Sequence, residues 1–348
     1  MDNVTSIDEQ MKSAHGEIDV SHAFRFISLA ENQSRLSGAD WLIPPFLERN
    51  ITAVMFGESG LYKSFIALDL GLCVAYGQDY HGHNAHPGAV YYLCGEGKGG
   101  IARRVEAWRL EHGLQHKDAP FYVSEIPAQL LDEGNSQDVA FAMEKPALVI
   151  IDTLSTNIGE GDENSNADVG RMLVNVGRYI RDAHSACALF VHHVGHGDKA
   201  RERGAYALRG NADTRIHVKP YKDGCSLHSL KVKDGAPFLP IAFEPQAVVI
   251  PGILDSEGEV VTSLTMGQVE YIEPATIKTL PPQQLKALTV LQTMGPSLAI
   301  DWKKELVKQE IIQPDRRYFN KVKAALIRAS LVEEKHGLCQ FMELEIDE

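Results

Sequence analysis

The stretch GESGLYKS, residues 57–64, decides the fold class because it is one residue away from a phosphate-binding loop. That loop follows the pattern Gly, four residues, Gly, Lys, then Ser or Thr, and here Tyr62 takes the place of the second Gly. In such a loop Lys63 would reach the β- and γ-phosphates, and Ser64 would ligate Mg²⁺. The pattern alone leaves open the alternative of a chance run of small residues.

The context of the loop favours a working site. An apolar run, ITAVMF (51–56), precedes it, and a helical run, SFIALDLGLCVAYG (64–77), follows it. A phosphate chain needs backbone N–H groups that point inward and a helix N-terminus behind them. At position 62 the chain already turns into this helix, so we expect the Tyr62 side chain to point outward without blocking the phosphates.

Two carboxylates follow later strands. ALVIIDT ends an apolar strand in Asp152, the position of a Walker B carboxylate that holds the Mg²⁺ shell. YLCGEG places Glu96 just past another strand, where it could activate the attacking water. A capping Asp and a surface-loop Glu are the plainer interpretations of each residue by itself. The three features in this order predict a nucleotide site at one edge of a sheet.

The pattern of apolar runs predicts an α/β fold with a mostly parallel sheet. After an N-terminal arm over 1–40, we expect an ATPase domain over 41–252. Later alternating segments, separated by Asp-Gly at 223–224, predict antiparallel edge hairpins. Five runs are candidate strands: ITAVMF (51–56), AVYYLC (89–94), PFYVSE (120–125), ALVIID (147–152) and CALFVHH (187–193).

The C-terminal part has a different character. A Gly-, Glu- and Pro-bearing stretch predicts a linker over 253–282. Three helical segments and two short strands then predict a winged helix-turn-helix over 283–348. Its third helix has the charge that a groove-reading helix needs, although a solvated helix packing its apolar side inward is compatible with the same pattern. The basic residues of that helix are Arg316, Arg317, Lys321, Lys323 and Arg328.

Composition limits the function classes. The 348 residues include 34 Lys and Arg against 47 Asp and Glu, a net charge of −13. A protein that coats nucleic acid nonspecifically would be basic, so any nucleic-acid contact here must be local. The five cysteines are widely spaced, which predicts reduced core thiols rather than disulfides or a zinc site. With no signal peptide or apolar span in the pattern, we expect a cytoplasmic protein.

The motifs together resemble those of the RepA-like ATPases of plasmids and phages, which are RecA-fold, AAA-family enzymes related to hexameric replicative helicases. FGESGLYKSFIALDL, AVYYLCGEGKGGIARRVEAW, LVIIDTLS, LFVHHVGHGDKARERGAYALRGNADTRIHV and SLKVKDGAPF carry the resemblance, over roughly residues 40–245. Some relatives also have an aromatic or other residue before the P-loop Lys, so Tyr62 is a family variation.

The resemblance implies ATP and Mg²⁺ as cofactors, with Glu96 as the catalytic base and Lys63 on the phosphates. Ser64 and Asp152 would hold the metal. His192 and His193, at the end of a strand, match a pair beside the γ-phosphate, and His193 is the catalytic candidate. The nucleotide-binding residues would be Gly57, Glu58, Ser59, Gly60, Leu61, Tyr62, Lys63, Ser64 and Phe65.

A RecA-fold site also needs a cation from the neighbouring subunit as the γ-phosphate leaves. The candidates are Arg209, Arg215, Lys231 and Lys233, with Arg215 and Lys233 preferred, and each is compatible with a plain surface charge. The leading function is a hexameric replicative helicase acting on single-stranded DNA, with duplex contact through the C-terminal module. The alternatives are an ATP-dependent DNA-binding regulator and a loader or recombination ATPase without strand separation.

Overall fold

A computed structural model describes residues 26–95, 97–193, 206–273, 280–329 and 331–342, without the side chains of Lys98 and Arg316. The chain divides into two compact units between Tyr271 and Ile272. Glu96, the predicted base, lies outside the described residues.

The first unit is built on one large sheet. Its strands are β1 (Trp41–Ile43), β2 (Leu47–Glu48), β3 (Thr52–Gly57), β4 (Ala89–Cys94), β5 (Phe121–Val123), β6 (Pro146–Asp152), β7 (Cys187–His193), β8 (Thr214–Tyr221), β9 (Gly224–Val232), β10 (Ile241–Leu254) and β11 (Val260–Val269). β1 and β2 pair with each other, and the nine others form a sheet in the order β11–β10–β9–β8–β3–β7–β6–β4–β5.

The pairing confirms the predicted α/β class with a mostly parallel sheet. From β5 to β8 every neighbouring pair is parallel, and β8 to β11 are antiparallel, as expected for the edge hairpins. β3, β6 and nearly all of β7 are buried along their whole length, which explains why their sequences are continuous apolar runs rather than alternating ones. All five predicted strands are present.

Helices cover both faces of this sheet. They are α1 (Leu29–Ser34), α2 (Lys63–Tyr76), α3 (Lys98–Glu111), α4 (Glu133–Phe141), α5 (Leu154–Asn157), α6 (Asn166–Asn175), which continues as a π-helix over Val176–Asp182, and α7 (Tyr206–Asn211). Residues of α2 and α3 pack with Ala53 and Met55 on one face. Residues of α5, α6 and α7 pack with Val54 and Phe56 on the other. Successive side chains of β3 therefore point to opposite faces of the sheet and belong to two separate cores.

The predicted linker over 253–282 is wrong in its first part. β10 extends to Leu254 and pairs with β11, so that most of 253–269 belongs to a long antiparallel hairpin. Its turn is DSEGE, residues 255–259, where Gly258 has a φ of 85° that favours glycine. Turn residues of a hairpin have the same composition as a linker, and the alternation of β11 is the feature that distinguishes them.

The second unit contains α8 (Pro282–Met294), β12 (Ser297–Leu298), α9 (Ala299–Lys308), α10 (Arg316–Arg328), β13 (Val332–Lys335) and β14 (Leu338–Phe341). Its strands pair in the order β12–β14–β13, and its core surrounds the fully buried Trp302. The indole Nε1 of Trp302 donates to the carbonyl of Ala287, 3.0 Å away, which ties α9 to α8. In the part of the chain that the structure describes, no helix is long and apolar enough to span a membrane.

Candidate nucleotide site

The loop between β3 and α2 has the backbone of a phosphate-binding turn. Gly60 has a φ of 84°, which glycine adopts at little cost. Gly57 lies so close to β8 that a Cβ there would stand 2.3 Å from the carbonyl oxygen of Val218. The two glycines thus serve different needs: Gly60 supplies the turn, and Gly57 allows the strands to approach.

Tyr62 is the N-cap of α2 and has left-handed backbone angles, φ 57° and ψ 16°. Glycine adopts this conformation freely, whereas a residue with a Cβ is strained by about 1–2 kcal/mol. Tyr62 is one of the residues that line the cavity described below, and its ring centroid is 6.2 Å from that of Phe65. The ring packs against neighbouring apolar side chains of the loop and helix, which offsets part of the strain.

Lys63 is a buried cation at the first position of α2, with 4% of its surface exposed. Its Nζ donates to the carbonyl oxygens of Gly57, at 2.9 Å, and Glu58, at 2.6 Å. Burial lowers the pKa of Lys63 to about 8, and the nearby Asp152 carboxylate opposes that shift. The ammonium group is therefore largely protonated at pH 7, in a position where few solvent molecules screen it.

Asp152 ends β6 as a buried carboxylate with one oxygen paired and one free. Its Oδ2 accepts a hydrogen bond from the hydroxyl of Tyr92. Its Oδ1 is buried and has no hydrogen-bond partner among the described residues. A buried acceptor without a donor is costly, and a hard divalent cation is a ligand that satisfies it. Together with Ser64 in the first turn of α2, this carboxylate fits the donor set expected for Mg²⁺.

The two histidines at the end of β7 have different environments. His192 is buried, with 1% of its surface exposed, whereas His193 is half-buried and lines the cavity. Burial, then Lys63 and then His192 lower the pKa of His193, so the imidazole is neutral at pH 7. Within the described ranges its Nδ1 is buried without a hydrogen-bond partner.

One cavity of about 280 Å³ brings most of the predicted site together. It lies at the carboxyl ends of β3, β6 and β7, the edge at which open α/β sheets bind ligands. Gly57 and Glu58 belong to the same loop without lining the cavity. The lining residues are Ser59, Gly60, Leu61, Tyr62, Lys63, Ser64, Phe65, Arg104, Asp152, Thr153, Val191 and His193.

This chain is similar to a known protein family and to solved structures. The model of a family described as "AAA domain" matches residues 21–199, which is about half of the chain. The chain belongs to this AAA domain family. No curated protein matches its sequence at a significant level. Among solved structures, the crystal structure of the RadB recombinase is similar at a TM-score of 0.43 and 15% sequence identity, over 56% of this chain and 87% of that one.

Membership of the family means that this AAA domain is a nucleotide-binding domain of the ATPase type. The roles of individual side chains remain predictions. Two residues of the site escaped the sequence reasoning: Tyr92, which holds Asp152, and Arg104, which lines the cavity from α3. Tyr92 is two residues before the end of β4 and carries no motif. Arg104 lies in the same motif as Glu96, eight residues later in the sequence, and this spacing is the signal that could have revealed it.

The remaining predicted cations are absent from the lining of this cavity. Arg215 pairs with Val54 in the middle of β3, and its guanidinium carbon lies 5.5 Å from the ring centroid of Phe56, the residue before Gly57. Lys231 donates to the carbonyl of Ala212 at 2.5 Å, and Lys233 forms a 3.0 Å ion pair with Asp213. The backbone N–H of Asp213 in turn donates to the carbonyl of Thr52, at the first residue of β3. The loop of the same chain is at the other end of that strand, roughly 17 Å away by strand geometry. Arg209, on α7, is absent from the cavity lining as well.

In the second unit, α10 carries a basic stripe formed by Arg317, Lys321 and Arg328, which are all exposed. They stand four and seven residues apart, which places them on one side of the helix. Lys323, expected with them, is 18% exposed and forms a 2.7 Å ion pair with Glu334. It stabilises the contact between α10 and β13 instead of adding to the stripe. The side chain of Arg316 lies outside the described residues.

The strain at Tyr62 predicts an unusual order of stability between two variants. Tyr62→Ala removes the ring but keeps the strained Cβ, whereas Tyr62→Gly removes both. We expect the Gly variant to be more stable by about 0.5–1 kcal/mol in urea unfolding, since relief of strain exceeds the entropy cost of glycine. At Tyr76, the last residue of α2, the same pair of variants should show the ordinary order, with Ala more stable. Greater stability of Ala at both positions would contradict the assigned strain.

The lowered pKa of Lys63 predicts how nucleotide affinity depends on pH. Phosphate binds the protonated amine, so the affinity for a nonhydrolysable ATP analogue should be flat from pH 7 to about 8. Above that value it should weaken, approaching about tenfold per pH unit, because the free protein must first regain a proton. Titration of a fluorescent analogue between pH 7 and 9.5 measures this. Lys63→Arg, charged throughout, should lack the break, and a break that persists in this variant would assign it to another group.

Proposed function

We propose that this AAA domain protein is a ring-forming ATPase acting on nucleic acid, and specifically a replicative DNA helicase of plasmid or phage type. The observation that carries the proposal is the cavity in which Lys63, Ser64, Asp152 and His193 meet at the carboxyl edge of the sheet. A cation and a metal-binding pair in one partly enclosed space are what hydrolysis of a phosphoanhydride uses, and a neutral imidazole beside them can exchange a hydrogen bond with the phosphate.

The side chains divide the work of hydrolysis between them. Lys63 would bind the β- and γ-phosphates, and its bonds to two loop carbonyls keep it in place before the ligand arrives. Ser64 and Asp152 would hold Mg²⁺, which would neutralise charge on the phosphate oxygens. Tyr92 fixes the Asp152 carboxylate through Oδ2, so that Oδ1 stays available. Glu96 accepts the proton of the attacking water, and His193 reports the loss of the phosphate through its hydrogen bond.

The positions of the other cations support a site that is shared between copies of the chain. Lys233 lies beside Asp213, at the end of β3 that is remote from the loop of its own chain, and Arg215 is absent from the cavity lining. Lys233 is therefore too far from the nucleotide of its own chain and could face that of a neighbour. This supports a ring, which we propose to be a hexamer, in which one of these residues completes the adjacent site.

The acidic net charge confines nucleic-acid contact to local surfaces, and the basic stripe on α10 is one such surface. The elements α8, β12, α9, α10, β13 and β14 support the proposal of a winged helix-turn-helix that contacts duplex DNA through α10. We propose single-stranded DNA as the track of the ring. A cytoplasmic location stays a prediction. A recombination or loader ATPase, or an ATP-controlled DNA-binding regulator, would share the nucleotide site but separate no strands.

Unwinding of a forked duplex is the test that separates the helicase from these alternatives. With ATP and Mg²⁺, the unaltered protein should release the labelled strand, and Lys63→Ala and Lys233→Ala should each abolish release. A mixture of the two variants should regain part of the ATPase activity, because some interfaces then pair an intact loop with an intact cation.

Lys304→Ala, which removes an exposed lysine of α9 that pairs with Asp301 three residues before it in the same helix, is the control and should unwind normally. ATP hydrolysis stimulated by single-stranded DNA without any strand release would favour the loader or recombination ATPase. Full activity of Lys233→Ala, or no rescue in the mixture, would contradict the shared site.

A further inference from the structure

Arg104 is the cavity residue for which the site described so far has no role. It projects from the second turn of α3 and lines the cavity together with the loop, Asp152 and His193. Its side chain runs back along α3 toward the amino end of that helix, as helical geometry directs. The guanidinium Nη2 lies 3.7 Å from where a Cβ would stand on Gly97 and on Gly100. These distances place the guanidinium in van der Waals range of both positions, beside the start of α3.

The guanidinium rests on an aromatic ring. Its central carbon is 4.5 Å from the centroid of Phe65, the residue that follows Ser64 in the first turn of α2. No carboxylate in the described ranges lies within 4.0 Å of it. A cation–π contact at a half-buried site is weak beside a charge-assisted pair with phosphate, so an anionic ligand can displace or share it.

Arg104 and Lys63 are two cations of one cavity. Both line it together with Asp152, and Lys63 is held by the loop carbonyls of Gly57 and Glu58. A phosphate chain bound in this cavity would therefore meet two cations of the same chain.

We propose that Arg104 binds the terminal phosphate of a nucleoside triphosphate held by the same chain, and that this contact makes the site prefer a triphosphate to a diphosphate. The inference rests on the proposed nucleotide site. It follows from chemistry: a guanidinium donates two parallel hydrogen bonds to phosphate oxygens, and a diphosphate lacks the terminal phosphate that would accept them. It gives the chain a nucleotide-sensing residue of its own, separate from any cation supplied by a neighbour.

The test compares Arg104→Gln with Arg103→Gln, because Arg103 is the preceding, exposed residue of α3 and carries the same charge. Titrations with a nonhydrolysable ATP analogue and with ADP, both with Mg²⁺, give the two affinities. For Arg104→Gln we expect the triphosphate affinity to fall by about tenfold or more and the ADP affinity to change by less than about threefold. Arg103→Gln should change neither by more than about threefold. The triphosphate affinity of Arg104→Lys should lie between those of the unaltered protein and Arg104→Gln, since lysine keeps the charge but lacks the two parallel N–H donors of a guanidinium.

Retained ADP binding also shows that Arg104→Gln is folded. Equal losses for both nucleotides, or a loss of turnover with both affinities unchanged, would overturn the inference and leave the nucleotide site standing. The second of these results would assign Arg104 to the orientation of Glu96 instead. If the unaltered protein bound neither nucleotide, the proposed function would fail and the inference with it.

Discussion

The register of the parallel strands is the constraint on which the rest of the site depends. Gly57 of β3 pairs with His193 of β7, Asp152 of β6 pairs with Val191, and Cys94 of β4 pairs with Asp152. Four strands therefore end at nearly the same level, and the residues that follow them share one edge. A slip of one residue would turn every side chain to the other face of the sheet. The register is held because both faces of β3 are buried in separate cores.

This edge concentrates polar groups that the protein alone leaves incompletely paired. Lys63 is buried and donates to two loop carbonyls. In the described part of the chain, Asp152 has one oxygen bound to Tyr92 and one without a partner, and the Nδ1 of His193 has no partner either. Each unmade hydrogen bond of a buried group costs about 1–3 kcal/mol. Such groups are retained where a ligand completes them, so the cavity is prepared for a charged molecule and its metal.

Much of the fold was readable from the sequence, because continuous apolar runs between helical patterns specify buried parallel strands. All five such runs are strands, and the loop, Asp152 and His193 were expected at the same edge. The hairpin over 241–269 was missed in part, since the residues of its turn look like a linker. Tyr92, Arg104 and the ion pair of Lys323 depend on which strand or helix lies beside which. Such neighbours follow from tertiary packing, which local patterns do not encode.

The role of Arg215 and Lys233 was open for a different reason. The sequence shows cations after β7, but only the pairing of β8 and β9 shows that Lys233 lies near the amino end of β3, opposite the loop, whereas Arg215 lies beside Phe56. The separation of Lys233 from the loop of its own chain supports the proposal of a shared site. The basic stripe on α10 likewise could not be defined from the sequence. The structure shows that Lys323, one of the five predicted basic residues, pairs with Glu334, and that three exposed cations lie on one side of the helix.

We propose that the cavity binds a nucleoside triphosphate together with Mg²⁺ through Lys63 and Asp152. Calorimetric titration of a nonhydrolysable ATP analogue, with Mg²⁺ and with a chelator, is the decisive measurement. We expect Mg²⁺ to strengthen binding to the unaltered protein by about tenfold or more, and Asp152→Asn to lose this gain but keep its metal-free affinity. Asp162→Asn, in an exposed loop, should keep the gain. Binding by Lys63→Ala as tight as that of the unaltered protein, or an undiminished Mg²⁺ effect in Asp152→Asn, would contradict the account.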